Sequence, residues 1–577
     1  MSGCSSVEPP APFGACPTPQ QVAWQRMEMN MFCHFGPNTF SDKEWGDGTE
    51  AAALFNPTAL DCRQWVGVAA GAGFSGIILT AKHHDGFCLW PSSQTTHTVA
   101  LSPWQDGKGD VLQELRQAID DYNSQHDSHN PQLKMGVYIS PWDRNHPAYG
   151  TNRYNSIFAS TLAEVHQSYG PIFEQWLDGA NGEGPNGKKQ HYNWDLFNSL
   201  IMDLSPDAVI FSDVGPGCRW VGNENGAAGE TCWSTLNTEG FTPGAGAPPL
   251  DTLSQGNRGA THWVPAETDV SIRPGWFWHP NEQPKSVDEL VEIYFNSVGR
   301  NSLLLLNVPP DRRGLISQED SLRLMEFRAA LDSIFATDLT QGATIEASAT
   351  RGRKSSRDTQ SRCLSSSRTG TSTYHAANML NDDYDSYWSA PDSCLSPTLT
   401  LSFKQATTFS IIMLQEYIPL GQRIARFTIE YRDADGKWRH LTDGTTIGYK
   451  RLLRVPSTTA TALRINIMES MACPLLNKIG VYQYEVGLPS PTKATTSTLT
   501  VGGRASQPDQ CDDMHVNSRR SGFPARPMRR QARYGLQQWQ SWEALPPTQL
   551  GKAGKLCLLH KTVDNNKQHR TLIRKHF

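Results

Sequence analysis

No stretch of 18 consecutive apolar residues occurs in the 577-residue chain, which excludes a membrane-spanning helix, since such a helix needs about 20 mostly apolar residues. The opening segment, Met1 to Gln20, is rich in Pro, Ser and Gly and lacks the charged-then-apolar pattern of a secretory signal. The 12 cysteines form no Cys-x-x-Cys pair and no Cys/His grouping at zinc spacing, so neither a structural metal nor any other cofactor is expected. Thiols and disulfides remain equally open for them. No Gly-rich loop follows an early strand-like segment, which argues against a doubly wound dinucleotide-binding sheet. Positive charge is scarce in the body of the chain. From residue 488 onward Lys and Arg number 15 against 5 Asp and Glu, which leaves the first 487 residues at −15 within an overall −5. An acidic body speaks against nucleic acid as a partner, and a solvated tail accounts for the basic end.

What the chain does have is aromatic and periodic. Many of its 17 Trp stand beside Pro, Gly or Asp; flat indoles suit the apolar faces of sugars, and they also fill large cores. Between residues 27 and 340 short β-like runs alternate with amphipathic stretches. The pattern predicts strands at 29–34, 75–81, 134–140, 173–177, 208–212, 262–267 and 302–308, several apolar on both faces as buried parallel strands are. Helices are predicted at 61–72, 110–122, 155–169, 193–204, 286–298 and 318–335, with Asp61, Asp110, Asn155, Asn193 and Ser286 as N-caps. This rhythm points to a TIM-like (β/α)8 barrel, with an irregular eighth unit hidden in the Gly- and Pro-rich stretch 214–261. Beyond residue 341 the helical periods stop. Alternations at 399–403, 409–415, 427–431 and 462–467 predict a β-sandwich, interrupted by a mobile loop at 351–370. The expected division is a disordered segment 1–20, a catalytic barrel 21–340, a β-sandwich 341–487 and a basic disordered tail 488–577.

In a barrel, chemistry gathers at the C-terminal ends of the strands, and polar side chains cluster there. The first strand runs into His34-Phe35-Gly36 and then Glu44-Trp45-Gly46. The second ends in Lys82-His83-His84-Asp85-Gly86-Phe87, the third passes Tyr138 to reach Trp142-Asp143, and the fourth ends in Trp176-Leu177-Asp178-Gly179. A lone His at a strand end is usually structural, and side chains of neighbouring strand residues face opposite ways, which weighs against His83 and His84 as a metal pair. Four such ends in consecutive units instead suit a small polyhydroxylated ligand.

These strings, with Asn301-Ser302-Leu303-Leu304-Leu305-Leu306-Asn307-Val308-Pro309-Pro310-Asp311, resemble the signatures of α-L-fucosidases of glycoside hydrolase family twenty-nine. Gly222-Asn223-Glu224 and Glu267-Thr268-Asp269-Val270-Ser271-Ile272-Arg273-Pro274-Gly275-Trp276 are similar to runs in the plant and bacterial α-1,3/1,4-acting branch. The resemblance implies a retaining exo-α-L-fucosidase acting on fucosylated oligosaccharides or N-glycans. It implies Asp178 as nucleophile and Glu224 as acid/base, with Glu230 as the alternative. His34, Glu44, Trp45, His83, His84, Tyr138 and Trp142 would line the sugar pocket. An extracellular or apoplastic/vesicular location is implied too, while no membrane partner and no oligomeric state follow. Asn378 to Trp388 resembles the opening of galactose-binding-like, discoidin-type domains, whose role here is either sugar binding or bracing of the barrel. A fucose-binding lectin that has lost catalysis and an exo-glycosidase for α-L-galactosides are the competing readings.

Overall fold

The computed structural model describes residues 7–126, 132–352 and 373–484. Eight parallel strands close into a barrel: β1 (Met29–Cys33), β2 (Gly76–Lys82), β3 (Lys134–Ile139), β4 (Ile172–Trp176), β5 (Val209–Ser212), β6 (Cys218–Trp220), β7 (Ala266–Ser271) and β8 (Ser302–Asn307). Closure comes from β8 pairing with β1, Met29 opposite Leu304 and Phe32 opposite Asn307. β1, β2, β7 and β8 are buried along their whole length, as expected of strands covered on one side by helices and on the other by the barrel interior.

The hidden eighth unit is β6, only three residues long and joined to β5 by residues 213–217 without a helix. The expected strand at 262–267 divides in two. His262–Trp263 pairs antiparallel with Thr235–Leu236, outside the barrel, and the barrel strand begins at Ala266 and runs on to Ser271. Pro265 stands at the break, where it has no N–H to give to a ladder. Asp61, Asp110, Asn193 and Ser286 each accept a backbone N–H of the first helical turn. Asn155 does not: its helix starts earlier, at Asn152 after Thr151, and the Asn155 side chain instead bonds the 191–193 segment.

The N-terminal segment expected to be disordered is held in place from residue 7 onward. Phe13 N–H donates to Leu420 O and Arg423 donates to Ala11 O. Thr18 and Gln21 form a capping box for the helix Pro19–Gln25. That helix drives Trp24 into the barrel end opposite the strand C-termini, where its indole donates to Glu174 at 2.7 Å.

The C-terminal part is a seven-stranded antiparallel sheet whose long strands Thr398–Glu416 and Arg451–Ser470 pair with register shifts between Ser402 and Thr407 and between Phe409 and Ile411. A register shift between Phe409 and Ile411 reverses which face is inside. Before it Leu399, Leu401 and Phe409 fill the sheet's own core; after it Ile412 and Leu414 do so. Ile411 and Met413, with Leu452 and Tyr482, then join the core of the barrel. Arg454 adds an ion pair with Glu292 and lies over the Phe295 ring. The sheet therefore packs on the barrel as a brace. Most of the loop expected at 351–370, and all of the tail 488–577, lie outside the described residues. No helix among the described residues is long and apolar enough to cross a membrane.

Candidate active site

At the C-terminal mouth of the barrel, Asp178 follows β4 by two residues. Its carboxylate accepts the Tyr138 hydroxyl at 2.9 Å on one oxygen and the Ala180 N–H at 2.7 Å on the other. His84 Nε2 stands 3.7 Å from the first of these oxygens. Tyr138 is positioned by stacking on Trp176, which stacks in turn on Phe211 at 3.8 Å. The result is an aromatic floor under the carboxylate.

Two imidazoles face the same space. β2 ends at Lys82, so His83 and His84 sit in the turn beyond it, and the alternation that would have sent them apart no longer applies. Their rings are 4.2 Å apart. His84 Nδ1 pairs with Ser140 Oγ at 2.7 Å, and His83 Nδ1 lies 3.4 Å from the Asn38 amide. His34 Nδ1 pairs with Asn307 at 2.9 Å. Burial is the main cause that keeps all three rings neutral. It pushes His34 down to about 3 and His84 to about 4, and His83 well below the usual imidazole value. Neutral imidazoles both donate and accept, which suits sugar hydroxyls. Trp45, 52% exposed, meets His84 and Trp142 edge-on, and the Trp142 indole is fixed by Glu183 O.

Glu224 lies at the open side, where its carboxylate accepts the Trp276 indole N–H at 3.2 Å. Partial withdrawal from water raises its pKa, and the Asp178 and Glu44 carboxylates push the same way against the Trp276 bond. Glu230 is elsewhere: its carboxylate pairs with Arg451 of the sheet domain at 2.9 Å. Glu44 accepts the backbone N–H groups of Trp276 and Phe277 and the His279 ring. His34, Glu44, Trp45, His83, His84, Tyr138, Trp142, Asp178 and Glu224 are thus linked through direct or shared contacts, whereas Glu230 shares none with them.

Several residues of the mouth were not singled out from sequence as site residues. Asp269, fully buried, accepts the Trp220 indole at 2.9 Å. Burial, then the Glu224 and Asp178 charges, push its pKa well above the ordinary carboxylate value. Asn307 holds both His34 and the Trp276 carbonyl. At the opposite end of the barrel, Glu174, Cys218 and Glu267 bring ligand atoms within 4.8 Å of one another. Burial raises both carboxyls, Trp24 and Trp176 donate to one oxygen of each, and Glu267 Oε1 has no other hydrogen-bond partner. A carboxyl proton shared within the pair would satisfy that oxygen without a cation.

A (β/α) barrel whose mouth gathers a rigidly held carboxylate, a second carboxyl of raised pKa, neutral imidazoles and exposed indole defines a glycoside hydrolase. The α-L-fucosidase family profile matches residues 13–332, and the F5/8 type C domain profile matches 360–476. Alpha-L-fucosidase 1 of Arabidopsis thaliana is 41% identical over 89% of this chain and 96% of its own length. The crystal structure of SpGH29 is 39% identical, covers 82% of this chain and 99% of its own, and superposes with a TM-score of 0.74. A Ruminococcus gnavus GH29 fucosidase solved in complex with fucose is 32% identical, covers 83% and 97%, and has a TM-score of 0.72. The chain belongs to the α-L-fucosidase family, and it is an α-L-fucosidase acting on fucosylated substrate.

Proposed function

We propose that the enzyme is a retaining exo-α-L-fucosidase in which Asp178 is the nucleophile and Glu224 the acid/base. The observation that carries this reading is the tethering of both Asp178 oxygens, to Tyr138 and Ala180, at the end of a barrel strand. A carboxylate so fixed reaches an anomeric carbon without reorganising. In the first displacement an Asp178 oxygen bonds to C1 while the C1–O pair leaves with the aglycone oxygen, which takes the Glu224 proton. In the second, Glu224 removes a proton from water, the water oxygen bonds to C1, and Asp178 departs. The raised pKa of Glu224 suits a group that must begin protonated. His34, His83 and His84 offer bonds to the fucose hydroxyls, and the Trp and Tyr faces offer a wall for the methyl side.

By the same reading, the substrates are terminal α-1,3- and α-1,4-linked fucose on branched glycans or glycoproteins, met in the extracellular space or a vesicular compartment. The fucose bound in the Ruminococcus gnavus relative supports the sugar assignment. The linkage choice is motivated by the Glu224 loop and the Trp276 run, which meet across the mouth. A panel of linkage isomers tests it, and equal or faster cleavage of an α-1,2-fucoside would contradict it. The catalytic assignment is tested by Asp178→Gly. Turnover should fall by about a thousandfold or more, and azide should restore cleavage of an activated fucoside, giving a fucosyl azide of inverted configuration. Wild-type-like turnover would refute the assignment.

A further inference from the structure

We propose that His279 is a positioning residue of this reaction: an imidazolium clamped between Asp42 and Glu44, it locks Glu44 onto the loop that carries Trp276 into the pocket. Its Nδ1 lies 2.8 Å from Asp42 Oδ1 and its Nε2 lies 2.6 Å from Glu44 Oε1. Carboxylate oxygens accept at both contacts, and a ring bearing hydrogen on both nitrogens, the imidazolium, satisfies them together. The Glu44 carboxylate also receives Trp276 N–H at 2.8 Å and Phe277 N–H at 3.3 Å, so one side chain gathers three donors from a single loop.

The approach of loop to clamp is close. A Cβ at position 275 would stand 2.6 Å from Glu44 Oε1 and 2.9 Å from His279 Cδ2, so a side chain there would push against both partners of the clamp. The loop's indole in turn donates to Glu224. The charges facing His279 are Asp42 and Glu44 on the segment after β1, Glu282 on its own loop, and Arg312, 3.8 Å from Asp42 on the segment after β8. Burial lowers the imidazole pKa, but the bonds to Asp42 and Glu44 outweigh it and the net shift is upward. Below that raised value the clamp is closed. As pH rises through it, one nitrogen turns a lone pair toward a carboxylate, and Glu44 or Asp42 loses its donor.

The inference rests on the proposed reading that Glu44 and Trp276 face the sugar, but not on Glu224 being the acid. The test therefore uses an aryl α-L-fucoside with a strongly acidic leaving group, whose departure needs no proton. Wild-type kcat/KM should fall on the alkaline side of the usual imidazole range. His279→Gln, which has one donor group for two carboxylates, should lose about tenfold in kcat/KM at pH 6, mainly through KM, and should lack that alkaline limb. Asp42→Asn removes one anionic partner from an exposed position and should move the limb to lower pH. Hydrogen exchange at the Trp276 and Phe277 amides should quicken in His279→Gln. A limb unchanged in both variants would overturn the proposal, as would a limb abolished by Glu224→Ala. A limb that follows His279 while Glu224→Ala still cleaves natural glycans would sustain the clamp and sink only the acid assignment.

Discussion

The barrel contains two sets of carboxyl groups, one at each end, and they share a residue type but little else. At the mouth, Asp178, Glu44 and Glu224 accept hydrogen bonds from a hydroxyl, backbone amides, an imidazole and an indole, and face open space. At the closed end, Glu174 and Glu267 are sealed beneath Trp24 and raised in pKa by burial. Strand polarity alone separates them. The C-terminal ends open into loops that can supply donors and admit a ligand, while the N-terminal end is plugged. Glu224 is only partly withdrawn from water and stays within reach of a ligand, whereas full burial puts the closed-end pair out of reach of any substrate.

Glu224→Ala should widen that contrast most. Cleavage of natural glycans, whose leaving oxygen needs a proton, should fall by roughly 10²–10⁴-fold. Aryl fucosides with acidic leaving groups should keep their first step, so that a burst of phenol precedes slow deglycosylation. Uniform loss on both substrates would show that Glu224 binds rather than protonates.

Smaller and opposite in kind is the effect expected of Glu267→Gln. The paired carboxyls at the closed end bind protons more tightly in the folded state. Their contribution to stability is therefore full below the usual carboxylate range and is lost as pH rises through their raised values. The neutral histidines of the mouth act the other way. His84 and His34, lowered to about 4 and about 3, stabilise the fold fully above about pH 6.5 and lose that contribution as pH falls toward those values. Glu267→Gln mimics the protonated acid and should raise the melting temperature above wild type at alkaline pH, with little change near pH 5. An unaltered alkaline limb of the stability curve would remove the closed-end pair from this account.

The smallest effect belongs to Glu230→Ala. Its side chain is 68% exposed and pairs with Arg451, so stability should drop by less than about 1 kcal/mol. Activity on natural glycans should be unchanged. A Glu224-like loss would transfer the acid/base role six residues along the loop.

Much of this was legible in the sequence wherever signals are local. Six barrel strands follow from apolar runs, four helix starts from a single capping side chain, and the mouth from polar residues at four successive strand ends. Glu224 was legible only through a family motif, because its loop has no periodicity. The eighth strand escaped because three residues cannot show a pattern, and the 262–267 segment was misjudged because Pro265 breaks it. Residues 7–20 look disordered by composition, yet their ties run to Leu420 and Arg423, some four hundred residues away. His279 was missed for a similar reason: Glu44 and Asp42, which give it meaning, lie 235 and 237 positions distant. Contacts between remote loops leave no trace in a window of neighbouring residues.

Whether Asp178 forms a covalent bond to the sugar is decided by trapping. The enzyme would be incubated with a 2-deoxy-2-fluoro-fucosyl fluoride, whose fluorine slows both displacements and whose good leaving group restores the first, and the labelled peptide would be sequenced by mass spectrometry. One fucosyl adduct per chain is expected, on Asp178, with activity returning as the adduct turns over. An adduct on any other carboxylate, or no adduct together with release of fucose of inverted configuration, would contradict it.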